Sequence, residues 1–196
     1  MWRNVPTEPV PRRPLHEPPN LAEFRQLGWM KNPNWGRSCP NAVTASARKL
    51  SKADHRKIGG DLFNHTWALL DKKRRSAAEI DEMIHAAHAS RYHWSRGGTP
   101  LNFSIGEWQL SRVYAVLGRP EPALYHGHRA LEITRRNHLG RFYLAYAYEA
   151  LARAASVAGQ HQARNRYLRE ARRIGATVRD RDDRRMLLED LTTIPR

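Results

Sequence analysis

At 196 residues, with 34 Lys and Arg against 19 Asp and Glu and a formal net charge of +15, the chain holds one modest domain in a strongly basic field. Such a field draws nucleic acid, anionic lipid or acidic protein without choosing among them. Cys39 is the lone cysteine, which excludes an intrachain disulfide and a cysteine-built zinc site, and no run nears the roughly 18 apolar residues that span a bilayer.

Residues 1–58 hold eight of the twelve prolines and no sustained apolar face, and they carry 11 basic and 4 acidic side chains. Such a segment buries too little surface to offset the entropy of ordering, so a Pro-rich, basic, mostly disordered N-terminal extension is expected there, with a helical domain over 59–196. Met1 to Asn20 lacks the apolar stretch of a signal peptide, which points to a cytoplasmic protein, and Met30 is a candidate later start.

A first helix is predicted from about Gly60 to Leu70, with Leu62, Phe63, Trp67 and Leu70 in one apolar stripe. After the charged run Asp71 to Arg75, Ser76-Ala77-Ala78-Glu79 has capping-box spacing and opens a second helix to about Arg96. Gly97-Gly98 ends it, and Thr99-Pro100 supplies an N-cap and an N1 proline for a third helix through Leu117. Gly118 is expected in the left-handed conformation of a tight stop, and Pro120 opens the fourth helix, to about Asn137. Gly140 precedes a fifth helix to Ala158, Gly159 repeats the stop, and a sixth runs from about His161 to Val178. Asp180 then caps a short terminal helix near Asp183 to Thr192.

Within this series one segment echoes another. Leu110-Ser111-Arg112-Val113-Tyr114-Ala115-Val116-Leu117-Gly118 returns 41 residues later as Leu151-Ala152-Arg153-Ala154-Ala155-Ser156-Val157-Ala158-Gly159. Seven helices, no credible strand and short connections define an all-α fold of antiparallel helical hairpins stacked as a short α-solenoid.

Leu110, Ser111, Tyr114, Gly118, Ala123 and Ala130 fall where the tetratricopeptide repeat has its large, small, aromatic, glycine and alanine positions, and Leu151, Ala152, Gly159 and Ala171 follow in the second copy. The chain therefore resembles that superfamily, although Ala155 and Arg164 depart from its pattern and the spacing of 41 exceeds the family's 34. Over roughly residues 59–195 it also resembles an uncharacterised bacterial family of tetratricopeptide-like proteins, on the segments DEMIHAAHASRYHW (81–94) and GEWQLSRVYAVLGRPEPAL (106–124). The resemblance implies a concave groove lined by the first helix of each hairpin, and no activity.

On that groove, Ile105, Trp108, Arg112 and Ala115 form one stripe and Tyr146, Glu149, Arg153 and Ser156 the next. Arg112 and Arg153 are equivalent positions, so two guanidinium groups are expected to clamp a carboxylate between walls made by Trp108 and Tyr146. The expected partner is a protein or acidic peptide, and no cofactor or catalytic residue is implied. A rival site lies in the second helix, where Glu82, His85 and His88 have metal-ligand residue types, although no second E-x-x-H motif completes a di-iron pattern. A third candidate is the arginine run Arg164, Arg166, Arg169, Arg172, Arg173, Arg179, Arg181, Arg184 and Arg185, a phosphate-contacting stripe that would join the basic N-terminal arm on nucleic acid. No aromatic interleaving is evident along that run, which reads as a solvated face. No serine elbow or phosphate loop is present, so the sequence leans away from an enzyme.

Overall fold

The computed structural model describes residues 49–195. The N-terminal extension with Met30 and Cys39, up to Arg48, lies outside the described residues. The rest is all-α, with seven helices: α1 (Lys52–Leu70), α2 (Ala77–Gly97), α3 (Pro100–Val116), α4 (Pro120–Arg136), α5 (Arg141–Val157), α6 (His161–Gly175) and α7 (Arg181–Thr192). Among the described residues there is no strand. Consecutive helices pack as hairpins, α1 on α2, α3 on α4 and α5 on α6; the hairpins stack in chain order, and α7 closes the series against α5 and α6.

The echo becomes geometry in the two later hairpins. Pro100 and Arg141, Val116 and Val157, and Pro120 and His161 are corresponding helix ends, each pair 41 residues apart. Gly118 and Gly159 take φ values of 67° and 68°, the left-handed region where a Cβ is costly, so each stop needs glycine. The repeat also fixes what is buried. Leu110 and Leu151 are 1% and 0% exposed, and Ala123, Ala130 and Ala171 are all fully covered where neighbouring helices approach closely.

Caps behave as their chemistry demands. The Ser76 hydroxyl accepts from the Glu79 N–H at 3.3 Å while the Glu79 carboxylate accepts from the Ser76 N–H at 2.7 Å. Asp180 accepts from the N–H groups of Asp182 and Asp183 and starts α7. The first helix differs from expectation, because α1 begins at Lys52 rather than near Gly60 and so crosses the predicted boundary at 58/59. Its cause is a second capping box: Ser51 and Asp54 satisfy each other's N–H groups, at 3.1 and 2.9 Å, and nucleate the helix eight residues early.

One apolar cluster joins α1, α2 and α3 through Leu69, Leu70, Met83, Ala87, Leu110 and Val113. A second gathers Leu131, Leu151, Ile174, Leu187, Leu191 and Ile194 from α4 to the end of the described chain. The last three come from α7 and the residues after it, so α7 is part of the core.

Candidate functional site

The inner helices α1, α3 and α5 carry a run of aromatic rings across the stack. Trp67 and Trp108 lie 5.5 Å apart between centroids, Trp108 and Tyr146 5.3 Å, and Tyr146 and Phe142 4.9 Å. Offset and edge-on pairs at these separations favour a fixed wall of rings. Together with Ile105, Tyr143, Met186 and Asp190 they line a cavity of ≈ 260 Å³. Spacing explains the lining: Ile105 and Trp108 are three apart on α3, and Phe142, Tyr143 and Tyr146 fall within the first two turns of α5.

Immediately beside the cavity is a buried ion network. Glu149, fully buried, accepts from the Trp108 indole N–H at 3.0 Å and from Arg153 Nε at 2.8 Å. Arg112 lies 3.8 Å from Glu149 and 3.2 Å from Asp190, whose other oxygen accepts from the Tyr146 hydroxyl at 2.9 Å. Burial alone would raise the Glu149 pKa, but the charges of Arg112 and Arg153, with the indole bond, hold it below the ordinary carboxylate range. Burial also raises the Tyr146 pKa, and the Asp190 charge adds to it, so the hydroxyl stays a proton donor. Two arginines face two carboxylates here, and the cluster closes on itself without net charge.

The expected clamp is therefore corrected. Trp108, Arg112, Tyr146, Glu149 and Arg153 do come together, but α7 fills the groove position where an acidic ligand was expected. Arg153 donates to the Thr193 hydroxyl at 2.8 Å and to the Asp190 carbonyl at 3.2 Å, and the Ser156 hydroxyl donates to the Pro195 carbonyl at 2.6 Å. Every residue of the predicted α5 stripe is thus tied to the C-terminal helix or its tail, directly or through its neighbour. Of the five, Trp108 and Tyr146 alone line the cavity. Asp190, Phe142 and Met186 were missed; the ring-rich start of α5 was a signal for Phe142, while α7 lies outside the repeat and gave none.

The metal candidates separate. Residues three apart on a helix drift by about 60°, so Glu82, His85 and His88 span about 120° of α2. Glu82 accepts from His65 of α1 at 2.8 Å, His88 is bonded to the Tyr114 hydroxyl of α3 at 2.8 Å, and His85 is exposed between them. Among the described residues no three His, Cys, Asp or Glu side chains are grouped to hold a metal ion. His88 instead belongs to a second polar cluster, in which Glu107 accepts from Arg91 of α2 at 2.9 Å and from His126 of α4 at 2.7 Å. Tyr114 and His126 stack in parallel, with centroids 5.7 Å apart.

The fold and this pocket define an all-α helical-repeat protein with an aromatic cavity on its inner helices. The chain matches no protein-family model, no curated protein and no solved structure. Among the described residues no helix is long and apolar enough to cross a membrane.

Proposed function

We propose that this chain is a non-enzymatic binding protein that takes a protein or peptide partner on its inner helices, anchoring one large apolar side chain in the aromatic cavity. The observation that carries the reading is the ≈ 260 Å³ pocket walled by Trp67, Ile105, Trp108, Phe142, Tyr143 and Tyr146, since recognition energy concentrates where aromatic side chains line a dry recess. The tetratricopeptide-like positions Leu110, Gly118 and Ala123 are a second support. An acidic partner draws support from the net charge of +15 rather than from Arg112 and Arg153, whose charges are already paired.

A random peptide library selected on the full chain tests this. Enriched peptides should share one aromatic or long aliphatic anchor, quench the fluorescence of Trp67 and Trp108, and lose binding about a hundredfold when Ile105→Glu places a charge on the pocket wall. Ile105 is only partly buried, so the variant should keep wild-type helicity. Selected peptides that bind Ile105→Glu as well as wild type would overturn the reading.

A further inference from the structure

The outer helices α2, α4 and α6 carry chemistry unlike the inner face. Each presents one tyrosine beside a cation or an imidazole. Tyr92 of α2 is 54% exposed with the Arg96 guanidinium 5.2 Å over its ring, and Tyr125 of α4 is 57% exposed with His126 edge-on at 5.1 Å. Tyr167 of α6 has Arg166 at 5.4 Å and His128 of α4 at 6.3 Å. Between α4 and α6, Arg135 lies over the ring of Tyr148 and bonds its hydroxyl. The arginine run therefore does hold a ring, Tyr167, which lies 6.3 Å between centroids from Tyr148 of α5.

Free positive charge on this surface comes from α4 and α6, since α2 carries Glu79, Asp81 and Glu82 against Arg91 and Arg96. Glu132 pairs with Arg129 and Glu170 with Arg173, at 2.6 and 2.7 Å. Arg135, Arg136, Arg166, Arg169 and Arg172 are in no ion pair among the described residues, and all but Arg135 lack even a hydrogen bond to a carboxylate or hydroxyl there. A guanidinium stacked on a ring keeps its edge donors free, and those donors match phosphate oxygens. The exposed large apolar residues of these three helices are Tyr92 and Tyr125, with no aliphatic patch beside them. That balance disfavours a protein interface, whose centre is built from aliphatic and aromatic groups with few charges. Spaced rings among unpaired arginines are what single-stranded nucleic acid uses, with bases on the rings and phosphates on the guanidinium groups.

We infer that the outer face formed by α2, α4 and α6 binds single-stranded nucleic acid, with Tyr92, Tyr125 and the half-buried Tyr167 as stacking platforms and the unpaired Arg166, Arg169 and Arg172 contacting phosphates. The site is separate from the inner cavity, so it stands or falls without the peptide-binding reading.

The test is fluorescence anisotropy of the full chain with a labelled single-stranded RNA of roughly 15 nucleotides across a salt series. Binding should weaken steeply as salt rises. The double variant Arg166→Glu/Arg169→Glu should lower affinity more than about tenfold and flatten the salt dependence, because two phosphate contacts are lost. Tyr125→Ala should cost about tenfold while leaving the salt slope unchanged, because it removes a stack and no charge. Ile105→Glu should bind the RNA as wild type does. Three results would overturn the inference: no binding at low salt, displacement of the RNA by polyglutamate as readily as by unlabelled RNA, or full affinity in Tyr125→Ala. The last two would leave a non-selective cationic surface.

Discussion

Two buried carboxylates, one repeat apart in role but not in register, show how differently the same device is used in this molecule. Glu149 of α5 and Glu107 of α3 are 0% and 6% exposed, and each accepts from side chains of neighbouring elements. In both, burial alone would raise the pKa; the charges of Arg112 and Arg153 pull Glu149 below the ordinary range, and the His126 hydrogen bond with the Arg91 charge does the same for Glu107. Their partners differ in kind. Glu149 is held by an indole and by two guanidinium groups, and Arg153 carries the bond onward to α7. Glu107 of α3 is held by Arg91 of α2 and by His126 of α4, and so joins those two helices. The first is a permanent rivet that seals the end of the stack; the second contains an imidazole and sits among other histidines. A buried acid marks a structural tie in either case, and its partners decide which helices it joins.

The largest test removes the rivet. Glu149→Ala leaves Arg153 buried without its carboxylate and frees the Trp108 indole, so it should cost about 3–5 kcal/mol in urea unfolding at neutral pH. Exchanging both partners, as Glu149→Leu with Arg153→Met, should recover most of that loss, because the desolvation of two charges disappears with the pair. If the single variant costs less than about 1 kcal/mol, the network behaves as a surface pair and the contrast with Glu107 collapses. Glu107→Gln keeps a polar acceptor of the same shape and should cost about 1–3 kcal/mol by the same measurement, the smaller effect of the two.

What the sequence made legible was local and periodic. The helix stops at Gly118 and Gly159, the capping box at Ser76 and the 41-residue offset all depend on residues close in the chain. Ser51 and Asp54 carried an equally plain start signal for α1, hidden because proline-rich composition was extended to residue 58. Trp108, Arg112, Tyr146, Glu149 and Arg153 meet in one network, since equivalent positions of stacked hairpins are neighbours. Their role was not readable, because it depends on α7, whose docking rests on Leu187, Leu191 and Ile194 at the apolar spacing any amphipathic helix has. Asp190 could be recognised as the counter-ion of Arg112 only once that helix was seated on α5. The contact of Arg135 with Tyr148 crosses from α4 to α5, which no single-helix pattern contains.

The smallest effect, acid sensitivity, separates the two halves of the stack. His88 and His93 both have pKa values lowered from 6.5, in each case first by burial and then by a neighbouring histidine, His126 and His55 respectively. A histidine with a depressed folded pKa binds fewer protons folded than unfolded, so its contribution is full above about 6.5 and is lost as pH falls through the depressed value. His55 and His93 meet Nδ1 to Nδ1 at 3.0 Å, an arrangement that needs one neutral acceptor and cannot survive protonation of both. Glu149 and Glu107 follow the carboxylate rule: their contributions are full above about 4.5 and drain only below it. Mild acid should therefore loosen α1 and α2 first and leave α5 to α7 intact. Hydrogen exchange at pH 7 and pH 5.5, corrected for intrinsic rates, should show lost protection confined to α1 and α2, and His93→Asn should remove most of the difference. Equal loosening of both halves would mean that the histidine pair between α1 and α2 does not set the acid response.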